Sequence, residues 1–216
     1  MHHDAQTGDQ PEIPNASILT IGHSTLPVED FVANLQRHRV TAIADVRSSP
    51  YSGFNPSFNR ESLSAILKSY GIAYVFLGKE LGGRPSDSQC YENGRVSYEK
   101  VAHMKWFHSA VERLLKGTQS HNIALMCTEQ EPLACHRTLL IARALKARAV
   151  LVGHIHSSGA LESHQEAENR LVHVSGFSAA DFFRTEDETL ALAYATQEQR
   201  VAYRVPRDSA TEDLAR

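Results

Sequence analysis

The sequence lacks any apolar run long enough to cross a bilayer, and its N-terminus lacks the apolar core of a signal peptide. Only three of its 216 residues are cysteines, and they do not have the regular spacing of a secreted disulfide framework. The formal net charge of -3 does not indicate a uniformly basic surface for nucleic acid, although a local basic groove would still allow that partner. Internal repeats and low-complexity tracts are absent as well. We therefore expect a protein of the reducing cytoplasm with no membrane partner.

The composition is that of an ordinary globular chain, with 42% hydrophobic and 22% charged residues. Its length is enough for one domain with a sizeable core. Residues 1–16 are polar and contain Pro11 and Pro14, which predicts a flexible arm. We predict a single α/β domain over residues 17–175, followed by a C-terminal helical extension and tail over 176–216.

Apolar strand patterns alternate with helical patterns along the predicted domain. Five strands are predicted, at residues 18–21, 40–46, 72–77, 123–127 and 149–155. Helices are predicted from Pro27, from about 60 to 70, and over 97–116, 136–146, 161–173 and 186–203. Alternation at this spacing favours an α/β fold. The predicted architecture is a three-layer sandwich around a mostly parallel, Rossmann- or flavodoxin-like sheet of about five strands.

Reactive side chains follow the ends of these strands. Ligands of open parallel sheets bind beyond the carboxyl ends of the strands, so these side chains are expected to share one edge of the sheet. The strand-end residues are His23, Ser24, Asp45, Arg47, Lys79, Gly82, Gly83, Arg84, Cys127, Glu129, His154 and His156. Their convergence predicts a ligand-binding or active site.

The segment from Cys127 to Arg137 concentrates the most chemistry. It places Cys127 at the end of a strand and Cys135 at the start of a helix, where the helix dipole stabilises a thiolate or binds an anion. Cys135 is therefore a candidate nucleophile or redox centre, although buried cysteines are commonly inert. Because consecutive residues diverge by about 100° around a helix, His23 is a better candidate base for Cys135 than His136.

The two cysteines could instead form a disulfide or bind a metal with His136 or a more distant histidine. Thiolate and imidazole ligands suit zinc. The distant candidates are His23, His154, His156 and His164. Seven residues separate Cys127 from Cys135, which does not match the tight C-x-x-C pattern. We therefore assign no metal ligand from the sequence, and the cofactor is unknown.

Arginine and glycine residues at the predicted site are candidates for binding an anion. Arg47 and Arg137 could hold a phosphate or carboxylate with their planar guanidinium groups. The run Gly82-Gly83-Arg84 would allow an anion to approach the backbone closely. Asp45 is a candidate general base or loop cap. We expect Asp45 and Arg47 to point to opposite faces of their strand, which argues against an ion pair between them.

Several short motifs occur in the order found in one known family. They lie at residues 21–24, 45–47, 50–58, 77–83, 125–129, 135–137 and 154–164. Over about residues 18–173, the chain resembles the bacterial domain-of-unknown-function family 488. The resemblance implies a compact α/β fold with a shared polar site, and it supplies no reaction. The site positions that match the family pattern are His23, Ser24, Asp45, Arg47, Gly82, Gly83, Cys127, Glu129, Cys135, His136 and Arg137.

The leading hypothesis is a small cytoplasmic enzyme that acts on an anionic or phosphorylated, nucleotide-like substrate. In it, Cys135 is the nucleophile or redox centre, His23 or His136 exchanges protons, and Glu129 orients a partner, with Cys127 as a further catalytic candidate. One alternative is a non-catalytic nucleotide- or nucleic-acid-binding module. The other is a Cys/His metal-binding protein. The expected partner is thus a small anionic ligand, a nucleotide or a nucleic acid, and the oligomeric state stays open.

Overall fold

The computed structural model describes residues 17–177 and 184–206. The predicted arm at 1–16 and the end of the predicted tail lie outside the described residues. The strands are β1 (Ser17–Gly22), β2 (Ala42–Asp45), β3 (Ala73–Phe76), β4 (Tyr91–Glu92), β5 (Arg95–Val96), β6 (Ile123–Cys127), β7 (Leu151–Ile155) and β8 (Leu161–Ser163). The α-helices are α1 (Val28–Arg37), α2 (Arg60–Ser69), α3 (Gly78–Leu81), α4 (Tyr98–Ala102), α5 (Lys105–Gly117), α6 (Arg143–Lys146), α7 (His164–Val174) and α8 (Glu186–Val201).

The central sheet has six strands in the order β3-β2-β6-β1-β7-β8. The first five run parallel, and β8 pairs antiparallel with β7 at one edge. The predicted α/β class and mostly parallel sheet are therefore confirmed. The order, which the sequence does not reveal, places β6 between β1 and β2. The carboxyl ends of these three strands are Gly22, Asp45 and Cys127, so the residues that follow them start from one edge of the sheet.

Alternation along the strands builds an apolar core on each face of the sheet. On one face, Ile21 of β1 and Met126 of β6 pack with the buried sides of α1 and α2. On the other face, Leu125 and Cys127 of β6 pack with α5, the helical segment after Cys135, α7 and α8. Helices on both faces give the predicted three-layer sandwich. The same alternation directs Cys127 to the face that also buries Cys135.

Three predicted helices differ locally from the structure. The predicted helix 97–116 is two helices, α4 and α5, separated at residues 103 and 104. The start of the predicted helix 161–173 is instead the edge strand β8, because Ser163 and Glu166 form a capping box that fixes the start of α7. The helix predicted over 136–146 begins as a π-helical turn, Arg137–Ala142, and continues as α6. Within the described residues, no helix is long and apolar enough to span a membrane.

Candidate functional site

A cavity of about 410 Å³ opens at the carboxyl edge of the sheet, beyond β2 and β6. We call it the site cavity. Its lining includes backbone and side chains from the loop after β2, from the Gly83-Arg84 segment, from the loop after β6 and from the chain that follows α8. The lining residues are Arg47, Ser48, Ser49, Tyr51, Ser52, Gly83, Arg84, Tyr98, Cys127, Thr128, Glu129, Ala134, His136, Val201 and Tyr203.

Four side chains converge at this cavity: Cys127, Glu129, Cys135 and His136, which we call the thiol cluster. The Cys127 thiol donates to Oε2 of Glu129 at 2.8 Å, and the Cys135 thiol donates to the same oxygen at 3.1 Å. Nδ1 of His136 lies 3.7 Å from each sulfur. Cys127 and Cys135 are 3% and 2% exposed, whereas Glu129 is exposed, so Glu129 is the residue through which solvent reaches the cluster.

Local hydrogen bonds shape the loop that carries this cluster. The Glu131 carboxylate accepts from the backbone N–H of Leu133 and begins a 3₁₀ turn at Pro132–Ala134. Arg137, which is fully buried, donates from its guanidinium to the backbone carbonyls of Glu129 and Gln130. These bonds fold the loop back so that both cysteines reach the Glu129 carboxylate. Arg137 is predicted from the sequence to bind an anion. In the structure, both of its terminal nitrogens instead donate to backbone carbonyls of this loop.

Close packing at two glycines keeps the cluster in place. A Cβ on Gly22, at the end of β1, would lie 1.8 Å from the carbonyl oxygen of Glu129. A Cβ on Gly83 would lie 3.0 Å from Cγ and Nδ1 of His136. Nε2 of His136 meets the backbone carbonyl of Val46 at 3.0 Å, which fixes the ring from its other side. Glycine at both positions therefore lets the backbone approach the cluster more closely than any other residue would.

The two thiols have opposite pKa shifts. Burial and the proximity of Cys135 and Glu129 raise the pKa of Cys127 well above its ordinary value. Burial alone would also raise the pKa of Cys135, but its hydrogen bond with Cys127 and the charges of Arg137 and His136 lower it well below that value. Opposite shifts within one coupled pair make Cys135 the member that holds negative charge more readily.

The other two members of the cluster have raised pKa values. Desolvation of its carboxyl group beside the two buried thiols, together with the neighbouring Cys135, raises the pKa of Glu129. For His136, burial would lower the pKa, but the charge of Cys135 raises it above its ordinary value. Perturbed groups of this kind, gathered in a cleft, are characteristic of functional sites.

Asp45 and Arg47 form a buried ion pair beside the cavity, and the expectation that they point to opposite faces is wrong. Nη2 of Arg47 lies 2.6 Å from Oδ2 of Asp45, and Nε donates to Oδ1 at 2.9 Å. Residues two apart in an extended chain share a face, so the spacing favours this contact. The Tyr74 hydroxyl also donates to Asp45 at 2.6 Å, and Nη2 of Arg47 donates to the carbonyl of Phe58 at 2.8 Å.

The backbone N–H of His23 donates to the carbonyl of Cys127 at 3.0 Å, but no side-chain hydrogen bond of the described residues joins His23 or Ser24 to the thiol cluster. The His23 ring stacks on Phe58 with a centroid distance of 4.2 Å, and its Nε2 lies 3.3 Å from Nη1 of Arg47. Burial and the charge of Arg47 lower the pKa of His23 to about 4, so the ring is neutral at pH 7. The backbone N–H of Ser24 donates to the carbonyl of Thr128 at 2.8 Å. His23 is thus placed to support Arg47.

The segment after α3 contains three predicted site residues, Gly82, Gly83 and Arg84. The two glycines pack against neighbouring residues, and Arg84 faces the cavity. Gly82 lies against Ser48, where a Cβ would come within 2.6 Å of the hydroxyl oxygen, and Gly83 lies against His136. Arg84 is exposed, and its guanidinium stacks 4.6 Å from the ring centroid of Tyr203. Arg84 forms no ion pair with any residue in the described part of the chain. It is therefore a cation at the cavity available to a ligand.

The distant histidines do not join the cluster. Nε2 of His154 meets Nδ1 of His164 at 3.1 Å in a separate buried network, and His156 contacts Glu162 at 3.0 Å. The group that completes the set of potential metal ligands is Glu129, whose predicted role is to orient a partner. Its spacing, two residues after Cys127 beyond a strand end, is the signal that would have indicated it.

Two aromatic residues of the cavity are missing from the sequence-based candidates. Tyr98 is 4% exposed at the start of α4, and burial together with the neighbouring Cys135 raises its pKa. Tyr203 reaches the cavity because its carbonyl accepts from the N–H of Val96 at 2.9 Å, which ties the chain after α8 to β5. No local pattern marks either residue, since both depend on contacts far apart in sequence.

A family model described as "Domain of unknown function DUF488" matches residues 27–144, which is more than half of the chain. The chain belongs to this family. No curated protein and no solved structure matches the chain significantly. The DUF488 region contains the Asp45–Arg47 pair, Arg84 and the whole thiol cluster. β1, β7, β8, α7 and α8 lie outside the matched DUF488 residues, although Tyr203 beyond α8 lines the same cavity.

Proposed function

We propose that this DUF488 protein is an enzyme that acts on a small anionic substrate bound in the site cavity, with phosphorylated molecules such as nucleotides as the expected class. The observation that carries the proposal is the position of the thiol cluster at a cavity of about 410 Å³. A concave polar site with convergent reactive groups is the usual setting for small-molecule chemistry. The cavity volume lies at the small end of ordinary ligand sites.

The anion-binding part of the proposal rests on Arg84 and nearby hydroxyl groups. Arg84 lines the cavity without an acidic partner among the described residues, and Tyr203 supports its guanidinium. Ser49 and Ser52, in the loop after β2, line the same cavity. A guanidinium with neighbouring hydroxyl donors suits a phosphate or carboxylate. Arg47 instead stabilises this wall through its pair with Asp45.

The reacting part of the proposal is the thiol cluster acting as a unit. Cys127, Glu129 and His136 line the cavity, whereas Cys135 lies behind them and is 2% exposed. This arrangement argues against direct attack of the Cys135 sulfur on a substrate. It favours a reaction at the three members that line the cavity. Glu129 is the solvent-facing member, and we assign it the exchange of protons with the substrate.

A metabolite-consumption experiment tests this function. The protein is incubated with a small-molecule cell extract, and anionic metabolites are followed by mass spectrometry and tested for direct binding. We expect one phosphorylated metabolite to be consumed by the wild type. Glu129→Gln should bind this metabolite with little change in affinity but lose most turnover. Arg84→Ala should weaken binding about 10–100-fold, the range for loss of a charge-assisted contact.

Arg113→Ala is the matched control, because Arg113 is an exposed arginine on α5 that does not line the site cavity. It should leave both binding and turnover unchanged. A metabolite that binds through Arg84 and is never consumed would instead assign a non-catalytic nucleotide-binding module. Turnover that survives in Glu129→Gln would remove the assigned role of Glu129.

A further inference from the structure

The donor atoms of the thiol cluster form a compact set. One ligand atom from each of Cys127, Glu129, Cys135 and His136 lies within 4.8 Å of all the others. Two sulfurs, one imidazole nitrogen and one carboxylate oxygen form a donor set suited to zinc. We propose that Cys127, Cys135 and His136 bind a Zn²⁺ ion, with Glu129 as the fourth ligand on the cavity side. The inference deepens the proposed function, because it rests on placing the reaction at this cluster.

Two separations among the first three donors match a tetrahedral zinc site. With Zn–S near 2.3 Å and Zn–N near 2.05 Å, a tetrahedron requires sulfur and nitrogen to be about 3.6 Å apart. Nδ1 of His136 lies 3.7 Å from the sulfur of Cys127 and 3.7 Å from the sulfur of Cys135. Two equal distances at this value leave room for one ion between the three atoms. The imidazole nitrogen is therefore already at the distance from both sulfurs that one shared zinc ion requires.

The orientation of His136 is the one that a metal ligand requires. Its Nε2 lies 3.0 Å from the backbone carbonyl of Val46, which can only accept a hydrogen bond. Nε2 therefore carries the proton, and the lone pair of a neutral ring lies on Nδ1, facing both sulfurs. Metal-binding histidines are commonly fixed in this way through their second nitrogen. Gly83 packs against the ring and holds it in this position.

The charges around the cluster are compatible with a cation at the same place. Arg137 is fully buried and forms no ion pair with a carboxylate in the described residues. The backbone N–H of Arg137 points to the sulfur of Cys135 at 3.4 Å. When Zn²⁺ binds, the two thiols release their protons, and two thiolates with one carboxylate carry three negative charges. The ion and Arg137 together supply three positive charges, so the cluster with its ion carries no net charge.

Glu129 distinguishes this site from a purely structural zinc site. Its Oε2 lies 2.8 and 3.1 Å from the two sulfurs, closer than the separation of about 3.6 Å between ligands of one zinc ion. The carboxylate must therefore move by several tenths of an ångström when the ion binds. Because Glu129 is exposed on the cavity, it can make this movement. The fourth position is thus the replaceable one, as in catalytic zinc sites.

Metal content and cobalt spectroscopy test the inference. The reduced full-length protein is titrated with Zn²⁺ and, separately, with Co²⁺, and bound metal is measured by mass spectrometry. We expect one ion per chain and, with Co²⁺, a thiolate-to-metal charge-transfer band and the visible bands of a tetrahedral site. Cys127→Ser, Cys135→Ser and His136→Asn should each lose the ion, and Glu129→Gln should bind it roughly tenfold or more weakly.

Cys90→Ser is the matched control, since Cys90 is buried but lies outside the cluster. It should keep one ion and the same spectrum. If a cluster variant fails to fold, the wild type alone provides the readout, because the thiolate-to-cobalt charge-transfer band reports the cysteines directly and should disappear when chelator removes the ion. Failure of the reduced wild type to take up either metal, or uptake that survives in both cysteine variants, would overturn the inference. Stoichiometric metal without turnover would overturn the proposed function alone, and turnover in chelator without metal would overturn the zinc site alone.

Discussion

At the scale of single residues, the buried pair of Asp45 and Arg47 is the clearest case of interdependence. Asp45 is fully buried and Arg47 is 3% exposed, and the two share a bidentate contact. Tyr74 donates to the same carboxylate, and the carbonyl of Phe58 accepts from Arg47. A buried pair gains little over an apolar pair, but removing one partner leaves the other charge uncompensated. Asp45 and Arg47 are therefore each required for stability because each compensates the buried charge of the other.

We expect Asp45→Asn to lower the free energy of unfolding by about 3–5 kcal/mol, because Arg47 would keep its buried charge without a carboxylate. Urea unfolding at pH 7 measures the change. Glu92→Gln is the control, because it breaks an exposed pair with Lys100 whose side chains are 58% and 41% exposed. That control should change the free energy by about 1 kcal/mol or less. A similar small loss in Asp45→Asn would show that the pair is hydrated.

At the scale of elements, a buried chain of polar groups ties α7 and α8 to the sheet. It starts at Thr20 of β1, whose hydroxyl oxygen lies 2.8 Å from Nδ1 of His154 in β7. It continues through His164 of α7 to the hydroxyl of Tyr194 in α8, which lies 3.2 Å from Nε2 of His164. Tyr194 also donates to Glu168 at 3.0 Å. Through these bonds, α8 is part of the buried structure, and the chain after it reaches the site cavity.

The two histidines of this network predict loss of stability in acid. Burial and the neighbouring His164 hold the pKa of His154 well below its ordinary value, and burial lowers the pKa of His164. The unfolded chain takes up these protons as pH falls below about 6.5, while the folded chain resists them. The contribution to stability is therefore present above that pH and is lost as pH falls towards the lower, folded-state values.

His154→Gln should flatten this dependence by up to about 1.4 kcal/mol per pH unit between pH 6.5 and 5. The free energy of unfolding in urea, measured at several pH values for wild type and variant, gives the two slopes. Their difference reports His154 together with its effect on the neighbouring His164, because the other titrating groups are shared. His121→Gln, at an exposed histidine, should keep the wild-type slope. Equal slopes in all three proteins would mean that His154 takes up its proton in the folded state.

At the scale of the whole molecule, zinc should act as a stabilising ligand. A ligand that binds the folded state at 100 times its Kd contributes about 2.7 kcal/mol, less any binding to the unfolded chain. For a chain of this size, that corresponds to a rise in Tm of about 5–11 °C. Differential scanning calorimetry with Zn²⁺ and with chelator measures the shift. The Tm of Cys127→Ser should not change on addition of Zn²⁺. A wild-type Tm that is the same with Zn²⁺ and with chelator would contradict zinc binding at the cluster.

The class of fold could be predicted from the sequence because it depends on local periodicity. The buried run ending at Cys127 and its neighbours give strands between amphipathic helices, and this alternation leaves few other architectures. The order of strands could not be predicted, because the insertion of β6 between β1 and β2 depends on long-range pairing. For the same reason, the sequence does not reveal that the predicted helix over 161–173 begins as the edge strand β8, which is defined by its pairing with β7.

The candidate site could be predicted in part for the same reason. Cys127, Glu129, Cys135 and His136 lie within ten residues, so their proximity is visible in the sequence. Their roles are less visible: the contact of His136 with the carbonyl of Val46 joins residues 90 positions apart. Tyr98 and Tyr203 line the site cavity together with residues far from them in the sequence. Patterns in the sequence therefore indicate where chemistry collects, and tertiary contacts decide what each group can do.

The compact spacing of the thiol cluster also sets the order in which the site is completed during synthesis. All four side chains leave the ribosome within ten residues of one another, after β1, β2 and β3 and before β7. The carbonyl of Val46 that orients His136 is by then already present in the nascent chain. The strand β7, which covers the other side of β1, and the anchoring helix α8 emerge later. An ion could thus be captured by a chain whose sheet is still missing an edge, and the last third of the protein would then fold around a metal already in place.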